Sequence, residues 1–137
     1  MKTVHILVAE DNRGDVLLIR KALQFHSIPH ELHLVQDGAE AMSFLAAMGK
    51  GEGSPCPDVV LLDLNLPKVD GPEVLEEFRK HPECVTRPVI VISSSDSVKD
   101  RERMASLHVA HYFKKPSGLD EYMKLGQVIL DVLKPAG

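Results

Sequence analysis

The stretch VVLLDLNLPKVDG at residues 59–71 opens on four consecutive apolar residues, Val59 to Leu62, and breaks at Asp63 into a segment that ends in Pro67 and Gly71. An uninterrupted apolar run of that length suits a strand covered on both faces, as in a parallel sheet. Asp63 then stands at the rim of the buried sheet. Three other runs read the same way: 4–9, 32–35 and 89–92. A weaker fifth at 111–114 stops at Lys115-Pro116, because proline cannot donate to a ladder. Segments of helical period separate them. The first, 12–25, turns Val16, Ile19, Ala22 and Leu23 inward, and the second, 39–48, turns Met42, Leu45 and Ala46. The third opens with Pro72, sets Val74, Leu75 and Phe78 against the core, and leaves Glu73, Glu76, Glu77 and Lys80 to water. The fourth, 97–107, is mostly charged, has only Val98, Met104 and Leu107 to offer the core, and should be loosely held. The last, 119–133, buries Leu119, Tyr122, Met123, Gly126, Ile129, Leu130 and Leu133. Five strand–helix alternations predict a doubly wound α/β domain, a five-stranded parallel sheet with five helices.

At 137 residues the chain supports one hydrophobic core, so a single domain over 1–137 without an output module is expected. Hydrophobic residues at 44% and charged residues at 26% describe an ordinary globular protein. A net charge of -4 provides no basic field for a phosphate backbone, which argues against nucleic acid as partner. The start runs from Met1-Lys2-Thr3 through a short apolar stretch into acidic Glu10-Asp11, which is wrong for a signal peptide. No apolar run reaches the roughly 20 residues that span a bilayer. A cytoplasmic protein with no membrane partner is expected. Cys56 and Cys84 have neither Cys-x-x-Cys spacing nor the density of a disulfide framework, and are read as loop cysteines in a reducing compartment. The seven His residues look scattered, without metal-ligand spacing. Residues 49–57 read as a flexible insertion.

In an open parallel sheet ligands bind at the carboxyl ends of the strands. There the sequence puts Glu10 and Asp11, then Asp63, then Ser93, Ser94 and Ser95, then Lys115. Singly, each has a plain reading. Asp11 or Asn12 caps the first helix, Asp63 forms a turn, the serines make a polar loop and Lys115 is solvated. Together, at one end of four strands, they describe a site. Carboxylates about 4 Å apart repel by roughly 4 kcal/mol per pair at an effective dielectric of 20, so the cluster requires a cation. Ligands that are all oxygen favour Mg²⁺ or Mn²⁺ over zinc. A carboxylate beside such a metal, with a lysine opposite, is placed to attack phosphorus.

These residues resemble the receiver domain of two-component response regulators. The matching pieces are Glu10-Asp11, Asp63 within LLDLNLPKVDG (61–71), the hydroxyl of Ser93 and Lys115-Pro116, in the family's order over nearly the whole chain. AEDNRGDVLLIRKAL (9–23) and LLDLNLPKVDGPEVL (61–75) look most like stand-alone regulators paired with bacteriophytochromes and related sensor histidine kinases. The resemblance implies a flavodoxin-like receiver architecture in which Asp63 accepts a phosphoryl group from a phosphohistidine of a sensor histidine kinase. It implies Mg²⁺ bound directly by Asp11 and Asp63, by Glu10 through water, and by the main-chain carbonyl of Asn65. Lys115 and the Ser93 hydroxyl would hold phosphoryl oxygens, small Ser94 would leave room for the group, and Gly71 and Pro67 would shape the loop after Asp63. Such a protein promotes its own phosphorylation and dephosphorylation but is not otherwise an enzyme. Ser93 stands where Thr is more usual, which implies a looser switch. Tyr112 occupies the aromatic switch position; it is equally readable as a half-buried strand residue with its hydroxyl in water.

On the last helix Leu125, Val128 and Val132 form a stripe away from the expected core face, which predicts a homodimer or partner docking through that helix. Three other readings compete. A Mg-dependent aspartyl-phosphate hydrolase wants a second acid two residues after its nucleophile, where this chain has Asn65, and a substrate cap that the length does not supply. A flavodoxin-like cofactor module wants a phosphate loop after the first strand, where Glu10-Asp11 would repel a phosphate. A pseudo-receiver that only binds proteins is at odds with intact Asp63 and Lys115.

Overall fold

Each apolar run becomes a strand of one parallel sheet, and each periodic segment a helix. The elements are β1 (Val4–Ala9), α1 (Arg13–Phe25), β2 (His30–Val35), α2 (Gly38–Ala47), β3 (Val59–Asp63), α3 (Gly71–Phe78), β4 (Val89–Ser93), α4 (Val98–Ser106), β5 (His111–Lys114) and α5 (Leu119–Leu133). The computed structural model describes residues 2–48, 56–82, 84–95 and 97–134, so most of the insertion expected at 49–57 lies outside the described residues. The strand order is β2-β1-β3-β4-β5. The chain winds outward from β1 to β2 and then reverses to β3, which puts a topological switch point between the carboxyl ends of β1 and β3.

Three strand boundaries differ from the sequence reading for one reason: polar residues also pair. His30 and Glu31 extend β2 against Val4 and His5. Asp63 and Ser93 extend β3 and β4 through ladder pairs with Ile92 and Lys114. Asp63 and Ser93 are thereby fixed as the last residues of regular strands. Helix starts follow a shared rule. Asn12, Asp37, Asp70 and Ser97 each accept a hydrogen bond from the amide three residues on, at Asp15, Glu40, Glu73 and Asp100. Each of those third residues is acidic, which also suits the positive end of the helix dipole. Asn12, not Asp11, is therefore the cap of α1.

The sheet is covered on both faces. Leu7, Val60, Leu62, Val89 and Val91 pack toward α2 and α3, whereas Ile6, Val8, Leu61, Ile90 and Ile92 pack toward α1 and α5. The inward sides of α1 and α3 are as expected, with Val16, Ile19, Ala22 and Leu23 buried on one and Val74, Leu75 and Phe78 on the other. In α2 the inward face is rotated: Ala41 and Leu45 are buried, Met42 half-buried and Ala46 exposed. In α4 only Met104 is buried and Val98 is 69% exposed, in keeping with a lightly anchored helix.

The stripe expected on α5 is corrected. Leu125 is fully buried, at 0% exposure, alongside Tyr122, Gly126 and Ile129, while Leu119 is 52% exposed. Val128 and Val132 are half-buried against the same core. Packing against α1 as well as the sheet widens the inward face of α5 beyond a single helical stripe. At that contact His26 Nε2 lies 3.0 Å from the Met123 carbonyl, and a Cβ at Gly126 would collide with the His26 ring.

Two further expectations are overturned. Cys56 and Cys84 are not separate loop thiols but form a disulfide, with Cα atoms 5.6 Å apart. Their segments lead into the amino ends of β3 and β4, which pair side by side, so residues 28 apart in sequence meet. Nor are the histidines all scattered, because the β1–β2 pairing brings His5 and His33 together. Among the described residues, no helix is long and apolar enough to cross a membrane.

Candidate functional site

The four strand ends deliver their polar residues to the switch point. Glu10 follows β1 with its amide on the Val35 carbonyl at 3.0 Å, and Lys115 follows β5 with its amide on the Ser93 carbonyl at 2.7 Å. Glu10 and Asp63 are buried at 2% and 5% exposure, while Asp11 is exposed. One carboxylate oxygen from each of Glu10, Asp11 and Asp63 lies within 4.8 Å of the others. Lys115 Nζ donates to Asp15 Oδ2 at 2.9 Å, Asp63 Oδ2 at 3.1 Å and Glu10 Oε1 at 3.3 Å. The other Asp63 oxygen, Oδ1, accepts from the Asn65 amide at 2.9 Å.

One ammonium group does not balance this many carboxylates. Burial, and after it the charge of Asp63 and a hydrogen bond with it, pushes the Glu10 carboxyl up to about 7, against the opposing pull of Lys115 and the Asn12 amide. Glu10 Oε2 is buried with no hydrogen bond, although the Lys115 ammonium lies 3.1 Å from it. Buried carboxylate oxygens that share a single ammonium in an all-oxygen cluster fit a hard divalent cation. Burial alone would lower the pKa of Lys115. Its hydrogen bond to Asp15 and the charges of Asp63 and Glu10 outweigh that effect and hold it above the ordinary lysine value.

Asp15 and Tyr122 belong to the site and were not anticipated from the sequence as site residues. Tyr122 Oη donates to Asp15 Oδ1 at 3.2 Å, so Asp15 bridges the phenol and Lys115. Burial, followed by the Asp15 charge, pushes that phenol far above its usual range. Asp15 passes for an ordinary capping acid, since its amide bonds Asn12 Oδ1. The available signal is its spacing: it lies four residues before Ile19 and seven before Ala22, on the inward face of α1.

Ser93 is fully buried, and its Oγ accepts from the Ser95 amide at 3.0 Å. Ser95 Oγ donates to Asp100 Oδ2 at 2.8 Å and accepts from the Ser97 amide at 3.3 Å, linking the loop to the start of α4. Tyr112 is half-buried, and its hydroxyl donates to the Ser95 carbonyl at 2.9 Å rather than pointing only into water. The Arg101 guanidinium lies 4.6 Å from the centre of the Tyr112 ring. Ser93, Tyr112 and α4 thus share one short hydrogen-bonded segment. Beyond Asp63, Gly71 donates its amide to the Leu64 carbonyl at 3.2 Å. A Cβ there would stand 2.7 Å from the Asp63 carbonyl oxygen and from Leu64 Cα, so only glycine lets α3 start this close to the strand end.

Residues 6–126 match the family described as the response regulator receiver domain. The response regulator Rcp1 of Synechocystis sp. is 41% identical over 124 residues, covering 90% of this chain and 84% of its own length. Among solved structures, the phosphorylated cyanobacterial phytochrome response regulator RcpA is 38% identical with a TM-score of 0.84, covering 95% of this chain and 93% of that one. The Mn²⁺-bound form of Rcp1 is 40% identical with a TM-score of 0.81, covering 92% of this chain and 91% of the other.

Proposed function

The chain belongs to the response regulator receiver domain family, and from that premise we propose that it acts as a single-domain phosphoacceptor switch in a two-component phosphorelay, with Asp63 as the acceptor. The observation that carries this reading is the placement of Lys115 Nζ 3.1 Å from Asp63 Oδ2, inside a cluster whose other members are all carboxylates. Attack by an Asp63 oxygen on phosphorus forms the O–P bond as the P–N bond of a phosphohistidine breaks. The Asn65 amide and Lys115 orient the carboxylate for in-line attack, and Lys115 then pairs with a phosphoryl oxygen. A Mg²⁺ or Mn²⁺ held by Asp11, Asp63, Glu10 and the Asn65 main-chain carbonyl would neutralise charge on the carboxylates and on the incoming phosphate. The Mn²⁺-bound form of Rcp1 supports a divalent cation in this role.

Ser93 serves as the hydroxyl that bonds the phosphoryl group. To do so it exchanges its bond from the Ser95 amide, and Tyr112, bonded to the Ser95 carbonyl, responds to the same movement. The change reaches α4 through Ser95 and Asp100. The donor is a sensor histidine kinase of the phytochrome type, a reading supported by the likeness to RcpA, and the setting is cytoplasmic. The chain's own part is to promote its phosphorylation and dephosphorylation; self-association through α5 would rest on Val128 and Val132, and Val128→Lys with mass measurement in solution tests it. Family membership favours the phosphorelay over the hydrolase reading. The decisive experiment is incubation with acetyl phosphate and Mg²⁺ followed by intact mass measurement. One phosphoryl adduct is expected, absent from Asp63→Asn. An unmodified wild type, or equal labelling of the variant, would overturn the assignment.

A further inference from the structure

A second group of metal-ligand atoms lies at the other end of the sheet, and nothing in the receiver reading uses it. β1 and β2 run parallel in the register His5↔Glu31 and Leu7↔His33, so His5, Glu31 and His33 all project from one face of the edge pair. His5 Nδ1 and His33 Nε2 are 3.2 Å apart, and His5 Nδ1 is 3.8 Å from Glu31 Oε2. The three ligand atoms all lie within 4.8 Å of one another. We propose that His5, His33 and Glu31 form a three-ligand site for a borderline transition-metal dication, zinc foremost, separate from the acidic centre.

The spacing carries the argument. Two nitrogens bound to one tetrahedral zinc at 2.0–2.1 Å each are about 3.3 Å apart, and the two rings already stand at 3.2 Å. Without an ion, the N–H of one ring donates a hydrogen bond to the bare nitrogen of the other. When an ion binds, that proton moves to the outer nitrogen of its own ring and both lone pairs become available. The frame is rigid on one side: the His5 amide donates to Asp58 Oδ2 at 2.8 Å, and the Asp58 amide donates to the His5 carbonyl at 2.7 Å. Phe44 backs the His33 ring at 5.7 Å between centroids and limits its rotation. Glu31 is mostly exposed, with 61% of its side chain accessible, so it can close the remaining gap and leave a fourth position to water.

Ligand chemistry separates the two centres. Two imidazoles and one carboxylate select zinc, cobalt or copper over Mg²⁺, whereas the strand-end cluster is oxygen only. Five steps of extended strand from His5 to Glu10 hold the two sites about 16 Å apart. An ion here would staple the edge strand β2 to β1, with a gain in stability set by its concentration relative to Kd.

The test is titration of the purified protein with Zn²⁺ in millimolar Mg²⁺, which occupies the acidic centre, followed calorimetrically and repeated with Co²⁺ by visible absorption. Expected are one Zn²⁺ per chain, the intense visible bands of four-coordinate Co²⁺, and a loss of at least about tenfold in affinity in His5→Gln and in His33→Gln. Asp63→Asn should bind Zn²⁺ as the wild type does. Labelling of both histidine variants by acetyl phosphate reports that they remain folded and that the receiver site is intact. Zn²⁺ binding that persists undiminished in both histidine variants, that disappears in Asp63→Asn, or that is absent from the wild type overturns the proposal.

Discussion

Replacing Lys115 with Met keeps the aliphatic stem and removes the cation from a site that holds Glu10, Asp15 and Asp63 within 2.9–3.3 Å of it. At an effective dielectric of 20, one ammonium–carboxylate contact at 3.1 Å is worth about 5 kcal/mol before desolvation. The net effect is smaller, because burying the ammonium also carries a cost. Removing one partner of a buried ion pair typically costs about 3–5 kcal/mol, since it leaves the other charge uncompensated. The Lys115 side chain is 16% exposed, and Glu10, with its carboxyl near 7, can take up a proton, so the low end applies. About 3 kcal/mol corresponds to a fall in Tm of roughly 10 °C for a domain of this size. A divalent cation supplies the charge that the variant lacks, so Mg²⁺ should raise the Tm of Lys115→Met by more than it raises that of the wild type. Thermal melts of both proteins with Mg²⁺ and with chelator, slightly above neutral pH, measure this. Equal melting without metal, or equal Mg²⁺ increments, would refute the view that Lys115 is the counter-charge of the metal-free site. Labelling by acetyl phosphate should slow by about a hundredfold in the variant, the usual effect of losing a donor aimed at developing charge.

Three further outcomes follow from single contacts. The Cys56–Cys84 bridge spans 28 residues, and closing a loop of that length stabilises by about 3.5 kcal/mol in the chain-entropy account, so reduction or Cys84→Ser should lower Tm by roughly 10 °C. Two titratable thiols in the native protein prepared without reductant would show that the bridge does not form. Tyr112→Phe removes the bond to the Ser95 carbonyl, which should cost about 1 kcal/mol and speed amide exchange at 94–97 relative to β1; unchanged exchange there would detach Tyr112 from the loop. Asp37 caps α2, and the Glu40 amide, with Lys68 assisting, holds its carboxyl below the ordinary 3.8. A depressed folded pKa stabilises above the unfolded value and is lost as pH falls through the folded one. Asp37→Ala should therefore melt below wild type at neutral pH, with the gap narrowing in acid below 3.8; a gap that widens in acid would reverse the sign.

The sheet was legible because its three central strands, β1, β3 and β4, are almost wholly apolar, and the receiver site because its residues follow the strands directly. Glu10, Asp63 and Lys115 needed only the rule that parallel strands present their carboxyl ends on one side. What escaped the reading depends on lateral pairing. Cys56 and Cys84 meet because β3 and β4 are neighbours, and His5 meets His33 because β2 runs beside β1 in that register. Neither adjacency is written in the spacing of the residues themselves. Leu125 was misplaced for a related reason: a helical stripe shows which residues share a side, but the width of the buried side is set by how many neighbours the helix has, and α5 has both the sheet and α1.

Asp15 follows from the same geometry and explains why the site needs more than its strand ends. The β-strands can bring Glu10, Asp63 and Lys115 together, but a lysine between two buried carboxylates has three donors to satisfy, and the strands supply only those two acceptors. The third comes from the first turn of α1, which is fixed by the Asn12 cap and thereby points the Asp15 carboxylate back at Lys115. Tyr122 on α5 holds the remaining Asp15 oxygen. The ammonium is therefore positioned by both helices of one sheet face as well as by two strand ends. Phosphate arriving at Asp63 competes for a lysine whose third hydrogen bond is anchored to the α1–α5 pair, so withdrawing Lys115 from Asp15 would couple the chemistry at the strand ends to the packing of those two helices.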